Sequence, residues 1–249
     1  MKSWQKYYHT VQDIVQKALE TQGGNIISAA DILAEATRSG GLIHVFGTGH
    51  AHLVAEDIYW RSSSMSNTHG IIDPCVSGMH ESSKSLLTEN LPGLGNIIID
   101  YNRVARPDTI VCISHSGNTY VIVEAALRCV EKGVKVVAIA SAAAYKDEKA
   151  LHPSGKKLQD VANVVVDTCA TYSDTAIRLD GVETGIGPVF TIPAAILQTA
   201  IMTQAVEILV ESGFLPDVYF SGNLVANSDQ VKKHNSELID KYFNKIRTL

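Results

Sequence analysis

A cluster of hydroxyl side chains follows an apolar run in the middle of the chain. Ser114, Ser116 and Thr119 surround Gly117 and come directly after the run 109–113. A helical pattern of apolar residues begins two positions later, so the segment is predicted to be a strand, a tight turn and a helix N-terminus. Backbone N–H groups and the positive end of the helix dipole converge at such a turn. These residue types therefore predict a site for an anion with several oxygens, and phosphate fits it best.

The alternative for this turn is an ordinary helix cap. A cap uses one hydroxyl, whereas three stand within six residues here, and this favours a ligand site. The turn contains no lysine, so it is not a Walker loop, which needs Gly-Lys-Ser/Thr. We assign His115, Gly117 and Asn118 of the same turn to the predicted site as well.

A second glycine-containing turn, residues 47–52, follows the predicted strand 42–46. It resembles the dinucleotide fingerprint Gly-x-Gly-x-x-Gly but has His52 in place of the last glycine, so NAD binding is a weak alternative. Asp73 ends the next strand, where an acid could bind a ribose. Turns that follow parallel strands meet at one edge of the sheet, so the turns 47–52, 73–80 and 114–119 are predicted to form one pocket. The ligand contacts predicted outside 114–119 are Gly47, Thr48, Gly49, His50 and Asp73.

Groups that could transfer protons stand near two of these turns. His52 and Glu56 are four residues apart on a predicted helix and therefore share a face. A carboxylate placed there over a pocket could have a raised pKa and act as a general base; the alternative is a solvated acid at the exposed edge. His80 and Glu81 either begin a surface helix or assist ring opening of a phosphosugar. The predicted catalytic set is Glu56, His80 and Glu81.

Zinc is a further alternative for the histidines. His50, His52 and His115 all fall at the ends of predicted strands, and histidine is a common zinc ligand. His52 and Glu56 would be the ligands of such a zinc ion. Because the spacing fixes no ligand geometry, we predict neither a metal nor another cofactor.

Composition narrows the class of protein. The chain has 249 residues, of which 45% are hydrophobic and 19% charged, and a net charge of −5. This charge and the lack of a basic run argue against a nucleic-acid partner. The four cysteines show no metal or disulfide spacing, the first residues lack a signal-peptide pattern, and no run of 18 apolar residues occurs. We therefore predict a soluble cytoplasmic protein without a membrane partner.

Apolar runs and helical patterns alternate along the chain. Two helices are predicted before the first strand, at 4–19 and 26–34, separated by Gly23 and Gly24. The polar segment 143–160 is expected to be mobile. Alternating strands and helices indicate an α/β protein with a parallel sheet covered on both faces. Strands are predicted at 42–46, 68–72, 109–114, 134–140 and 161–167, and later helices at 52–63, 80–90, 119–132, 189–211 and 229–246.

With Ser114–Thr119 after one strand and Gly47–Gly49 after an earlier one, residues 40–170 resemble the sugar isomerase (SIS) domain family. The flanking helices are similar to those of its phosphoheptose isomerase branch. The segments 47–57, 80–81 and 154–158 are similar to a bacterial phosphosugar-binding branch. The resemblance implies a five-stranded parallel sheet of flavodoxin-like order in a three-layer αβα sandwich. It divides a single domain, 1–249, into an N-terminal helical pair (1–39), a sheet core (40–170) and C-terminal helices (188–249).

The resemblance also implies a phosphorylated sugar as ligand and homodimers or homotetramers with shared pockets. By this resemblance Ser114, Ser116 and Thr119 would bind the phosphate and Asp73 the sugar. Glu56 would be the catalytic glutamate, within a His-x-x-x-Glu pattern that binds zinc in some members. Two departures stand out: Ala51 replaces a usual hydroxyl residue, and the stretch 196–202 lacks the histidine that phosphoheptose isomerases carry on a late helix.

Three functions follow from these residues. The favoured one is an aldose–ketose isomerase of a sugar phosphate, with Glu56 transferring a proton through an enediol. His80, or His234 from a neighbouring subunit, would replace the missing histidine. The second is a phosphosugar sensor without chemistry, which the two departures support. The third is a lyase of an ether-linked amino-sugar phosphate, with Glu56 and Glu81 as base and acid.

Overall fold

A five-stranded parallel sheet forms the middle layer of the protein. The structure is a computed structural model that describes residues 1–79, 82–224 and 228–246. The strands are β1 (Ile43–Gly47), β2 (Thr68–Ile71), β3 (Thr109–Ser114), β4 (Lys135–Ala140) and β5 (Val164–Asp167). The helices are α1 (Ser3–Arg38), α2 (His52–Ile58), α3 (Ser82–Thr88), α4 (Leu94–Tyr101), α5 (Tyr120–Glu131), α6 (Leu158–Val161), α7 (Thr191–Glu211) and α8 (Ser228–Tyr242).

The strand order is β2-β1-β3-β4-β5, with every pair parallel. The predicted fold class and flavodoxin-like order are therefore confirmed. In the register of β1 and β3, Gly47 lies opposite Ile113, so the turns that follow these two strands start side by side. The chain leaves β1 towards one edge of the sheet and β3 towards the other. This reversal opens a crevice at the carboxyl ends of the strands.

Both faces of the sheet are covered, which explains why the strands are continuous apolar runs. Alternate residues of a strand point to opposite faces. Val111 and Ile113 of β3 join a core with α1, α2 and α7, whereas Ile110 and Cys112 join a second core with α4, α5 and α6. The two cores hold β1 and β3 rigidly, and with them the turns at their ends.

The N-terminal segment is one helix of 36 residues, α1, and the predicted break into two helices is wrong. A glycine inside a helix costs about 1 kcal/mol relative to alanine, and Gly23 and Gly24 are both inside α1. Packing offsets that cost, because residues on both sides of the glycines, Ile14 and Leu33 among them, are buried against the core that α7 shares. At 1.5 Å per residue the helix is about 54 Å long.

Helix α7 packs against α1 and the sheet through Ala194, Leu197 and Ile201, which are buried. Its length and apolar composition would also suit a membrane span, but core helices of soluble proteins share both properties. Its other face remains exposed, with Ile192 40% and Ile196 38% accessible. Helix α7 thus has one face in the core and one apolar face uncovered.

The segment 143–160, expected to be mobile, is organised by a buried lysine. The Lys157 ammonium donates hydrogen bonds to the carbonyl oxygens of Tyr145 (2.7 Å), Lys146 (3.2 Å) and Glu148 (2.9 Å). These carbonyls lie outside the regular helices and strands, and one cation provides a donor for all three of them. The Tyr145 carbonyl also accepts the Glu148 N–H at 3.2 Å. The segment ends in the short helix α6, which packs beside α5.

Two helices end several residues earlier than predicted. Helix α2 ends at Ile58, five residues earlier than predicted, because Tyr59 has an extended backbone and Trp60 a positive φ of 52°. Helix α8 ends at Tyr242, four residues earlier than predicted. Neither difference changes the carboxyl edge of the sheet.

Candidate functional site

A cavity of about 450 Å³ opens at the carboxyl ends of β1 and β3. The first and third predicted turns both line it, as does Gly78 from the second, so these turns do meet at one place. The described residues of its wall include no lysine or arginine. The wall consists of Thr48, Gly49, His50, Ala51, Gly78, Ser82, Ser85, Leu86, Glu89, Ser114, His115, Ser116, Thr119, Asp174 and Phe190.

The hydroxyls of Ser114 and Ser116 are oriented by the backbone of their own turn. Ser114 Oγ accepts the Gly117 N–H at 3.0 Å, and Ser116 Oγ accepts the Asn118 N–H at 3.2 Å. A serine hydroxyl has one proton and two lone pairs. Each oxygen that accepts from the turn therefore keeps its O–H to donate, and both residues line the cavity. Two directed hydroxyl donors suit an anion.

Thr119 occupies the N-cap position of α5 but does not cap the helix through its side chain. Its Oγ1 is buried and has no hydrogen-bond partner among the described residues. Buried polar groups of folded proteins are nearly always paired, and a missing partner is often a ligand. Because Thr119 lines the cavity at the positive end of α5, an anion would supply this partner.

The carboxyl group of Glu89 forms the wall opposite this turn and was not among the predicted residues. Its Oε1 lies 2.9 Å from the position that a Cβ of Gly49 would occupy. Burial raises the pKa of the Glu89 carboxyl. Ser82, Ser85 and Glu89 share one helical stripe, at spacings of three and four residues. That polar stripe after β2 is the signal by which the sequence could have indicated this wall.

His115 is held by its surroundings. Its Nε2 lies 3.0 Å from the Thr171 carbonyl oxygen and its Nδ1 lies 3.2 Å from the Tyr145 hydroxyl. A carbonyl only accepts, so Nε2 carries the proton. Its ring also contacts Phe190. Burial lowers the pKa of His115, so the imidazole is neutral near pH 7. His115 therefore connects the end of β3 to the loop before α7 and forms a fixed wall of the cavity.

Asp174, in that loop, is the second carboxylate of the cavity. Its Oδ1 accepts the N–H groups of Val189 and Phe190, both at 2.8 Å, just before α7. Its backbone has a positive φ of 50°. Asp174 is therefore engaged in ordering the chain that enters α7, a contact between residues 15 and 16 positions apart that local sequence patterns do not report.

The comparisons with known proteins agree with this architecture. The profile of the SIS domain family matches residues 6–141, more than half of the chain. The chain belongs to the SIS domain family. Among its relatives, a UPF0309 protein of Thermoanaerobacter pseudethanolicus is 31% identical over 249 residues, covering 98% of this chain and 99% of the relative. A UPF0309 protein of Halalkalibacterium halodurans is 31% identical, covering 96% and 98%.

Two solved structures share the fold of this SIS domain. A phosphoheptose isomerase from Francisella tularensis superposes with a TM-score of 0.54 at 14% identity, covering 83% of this chain and 100% of that one. A phosphoheptose isomerase from Neisseria gonorrhoeae gives a TM-score of 0.52 at 14% identity, covering 80% and 95%. At this identity the likeness shows the fold alone, and the family resemblance of the sequence is confirmed.

Several predicted binding residues of the SIS domain shape the cavity without lining it. Gly47 leaves room for the Ala51 carbonyl, which would lie 2.6 Å from a Cβ at position 47. Gly117 has a positive φ of 67° and packs against Gln159. The Asn118 side chain is directed to residues 149–151 instead. Its Nδ2 donates to the Lys149 carbonyl oxygen and its Oδ1 accepts the Leu151 N–H, both at 2.9 Å. These three residues build the turns and lie outside the cavity wall.

Asp73 and Glu56 also lie outside the cavity wall. Asp73 Oδ1 accepts the Cys75 N–H at 2.8 Å, which closes a local turn after β2. The Glu56 side chain is 39% exposed and its Oε1 lies 3.4 Å from Nε2 of the buried His52. Glu56 is therefore not among the residues that line the pocket of its own chain, and it contacts instead the buried His52. His50, by contrast, lines the rim.

The remaining predictions concern the catalytic candidates His80 and Glu81, a metal site and His234. His80 and Glu81 lie outside the described residues, directly before the cavity residue Ser82. Within the described ranges, no three His, Cys, Asp or Glu side chains are grouped so that they could hold a metal ion. His234 stacks on Phe220 with ring centroids 3.9 Å apart, and its Nε2 donates to the Val218 carbonyl. Those contacts give His234 a packing role within its own SIS domain.

Proposed function

We propose that this SIS domain binds a phosphorylated sugar, with the phosphate at Ser114, Ser116 and Thr119, and interconverts its aldose and ketose forms. The Thr119 hydroxyl carries the proposal, because it has no partner in the described part of the chain and lies at a helix N-terminus beside two hydroxyls that the turn already orients. A phosphate would satisfy all three donors and the helix dipole together. A cavity of about 450 Å³ leaves room for a sugar beside it.

The comparisons support the ligand class. The two phosphoheptose isomerases that share the fold are named for a phosphorylated sugar. A fold alone does not determine an activity, so the main support for the proposal is the hydroxyl turn 114–119. The cavity also holds the carboxyl groups of Glu89 and Asp174. Isomerisation through an enediol needs a group that takes a proton from one carbon and returns it to the next, and a carboxylate is suited to that task.

The test of binding is a thermal-shift screen with hexose, heptose and amino-sugar phosphates and their unphosphorylated forms. A ligand at 100 times its Kd stabilises the folded state by about 2.7 kcal/mol, which for a chain of this size raises Tm by roughly 5–10 °C. We expect this shift from phosphorylated sugars alone. Equal shifts from the unphosphorylated forms would refute the assignment of the turn.

The test of chemistry is incubation of each bound sugar phosphate in heavy water. Isomerisation through an enediol introduces solvent deuterium at C1 or C2, which mass spectrometry detects. Tight binding of every sugar phosphate without exchange would instead establish the sensor. Two observations favour that second candidate: Ala51 stands in the β1 turn where the family resemblance implies a hydroxyl residue, and α7 has no histidine over 196–202. Release of lactate from a muramic acid phosphate would identify a lyase.

We further propose that a second copy of the chain covers the exposed apolar face of α1 and α7, and that the protein acts in the cytoplasm. Tyr8 is 59% exposed and lines a groove with Ile192 and Ile196, and Trp4, one turn earlier in α1, is 71% exposed. Apolar patches of this kind mark protein interfaces. Light scattering should give a multiple of 26.9 kDa for the wild type and a lower multiple for Ile196→Asp. A monomer mass for the wild type at micromolar concentration would contradict the proposal.

A further inference from the structure

Glu89 is anchored to two structures that build the cavity. Its own N–H donates to the Ser85 carbonyl at 2.8 Å, which extends the last turn of α3. Its carbonyl accepts the Val121 N–H at 3.0 Å, in the first turn of α5. Val121 lies two residues after Thr119, so the backbone of Glu89 is tied to the helix terminus that carries the predicted phosphate turn. The position of Glu89 relative to that turn is therefore fixed by the main chain.

The Glu89 side chain reaches from this anchor to the β1 turn. Its Oε1 comes to 2.9 Å from the point where a Cβ on Gly49 would stand, a contact closer than real Cβ atoms make. Gly49 also has a positive φ of 55°, which glycine adopts without steric cost. The absence of a side chain at position 49 is thus what lets the carboxyl group of Glu89 lie against the backbone of the β1 turn and face the cavity.

Glu89 differs from the other nearby carboxylates because it has no partner among the residues that the structure describes. Within the described residues, its carboxylate accepts no hydrogen bond and forms no ion pair. Asp174 is occupied by two backbone N–H groups, Glu124 by the N–H groups of Gly93 and Gly95, and Glu56 by His52 outside the cavity. Burial also raises the pKa of Glu89, as is common for acids and bases of active sites. Glu89 is the cavity carboxyl that is free to exchange a proton.

We propose that Glu89 is the general base, and then the general acid, that moves a hydrogen between C1 and C2 of the bound sugar, the carbon that carries the carbonyl group and its neighbour; this rests on the proposed function. From an aldose, the carboxylate takes the proton from C2, and the C–H electron pair forms the C1–C2 double bond of the enediol. The proton of the C2 hydroxyl passes to O1. Glu89 then returns its proton to C1 and C2 becomes the carbonyl, so that atoms and charge balance.

The experiment compares Glu89→Gln with the wild type on the sugar phosphate that gives the largest thermal shift. Gln has the same shape but cannot take a proton from carbon. We expect binding within about threefold of the wild type and deuterium exchange slower by at least about 100-fold, the lower limit for a lost general base. Glu89→Asp, which keeps the carboxyl at a shorter reach, should retain part of the exchange. The matched control, Glu237→Gln on the exposed side of α8, should exchange as the wild type does.

Each outcome decides the assignment. Exchange by Glu89→Gln at the wild-type rate would overturn it, and so would equal losses of binding and exchange, since these would make Glu89 a binding residue. A sugar phosphate that binds the wild type without any exchange would also overturn it, while the phosphate site would stand. Failure of every phosphorylated sugar to raise Tm would instead refute the proposed function itself. Unchanged Tm values of the variants without ligand, or higher ones, would exclude misfolding as the cause of lost exchange.

Discussion

Replacement of Thr119 by valine should make the protein more stable and bind its ligand less well. Valine has the shape of threonine with a methyl group in place of the hydroxyl, and it favours the extended backbone that Thr119 has, with φ −74° and ψ 149°. The hydroxyl makes no side-chain cap of α5 and has no partner among the described residues. The folded protein without ligand therefore loses no hydrogen bond in the variant.

The two effects can be estimated separately. An unsatisfied buried polar group costs about 1–3 kcal/mol, so its removal should stabilise the protein by about 1 kcal/mol and raise Tm by roughly 2–4 °C. A hydrogen bond to a charged group contributes about 1.5–3 kcal/mol. Its loss should weaken binding of a sugar phosphate by roughly 10- to 140-fold, at about 1.4 kcal/mol per factor of ten. Stability and affinity are expected to change in opposite directions.

Differential scanning fluorimetry without ligand and titration calorimetry with the sugar phosphate measure these two quantities. Thr119→Ser is the matched control, because it keeps the hydroxyl and should keep the affinity within a few-fold. The reasoning fails if Thr119→Val binds the sugar phosphate as tightly as the wild type. It also fails if the variant melts at a lower temperature, since the hydroxyl would then have a stabilising partner in the protein.

Three further predictions concern the scaffold of the site. Glu124→Gln should lower the free energy of unfolding by about 1.5–3 kcal/mol in urea denaturation. The Gly93 and Gly95 N–H groups bond different carboxylate oxygens, and glutamine replaces one of these with an NH2 donor; an unchanged midpoint would contradict this. Burial lowers the pKa of His69 to about 3 in the folded protein, below its unfolded value. The free energy of unfolding should therefore keep the full contribution of His69 at pH 7 and fall by up to about 1.4 kcal/mol per pH unit as the pH drops below 6.5. NMR titration that shows a neutral His69 down to pH 5 would confirm the cause. Lys157→Met removes the ammonium that three carbonyls share, of which that of Tyr145 keeps the Glu148 N–H. The variant should speed amide hydrogen exchange over 145–151 selectively, whereas uniform exchange rates would rule out that role.

The sheet and its central turn were predictable because their signals are local. The β3 run, the hydroxyls after it and the helical period of α5 stand within about 20 consecutive residues, and each obeys a simple rule of strand, cap or helix. The strand order itself came from the family resemblance and was confirmed. Once the parallel sheet is given, the meeting of the β1 and β3 turns follows from geometry alone.

The parts that the sequence did not predict depend on contacts between distant residues. The penalty for Gly23 and Gly24 is local, but the packing that offsets it comes from α7, some 170 residues further along the chain. Glu89 lies in an exposed-looking polar stretch, and only its approach to Gly49, 40 residues earlier, gives it a place in the cavity. Asn118 looks like a ligand contact in sequence, yet its partners at 149 and 151 turn it outward. A pattern within one window of sequence cannot report such pairs.

The outward side of the hydroxyl turn has consequences for changing what this protein accepts. Asn118 holds residues 149 and 151 there, and the Gly117 carbonyl accepts the Leu158 N–H at 2.8 Å. Insertions or deletions between 149 and 158 would therefore reposition Ser116 and Thr119 without any altered residue facing the sugar. Libraries designed to change its ligand selectivity should vary residues 149–158 together with the cavity wall, because this segment determines the position of the wall.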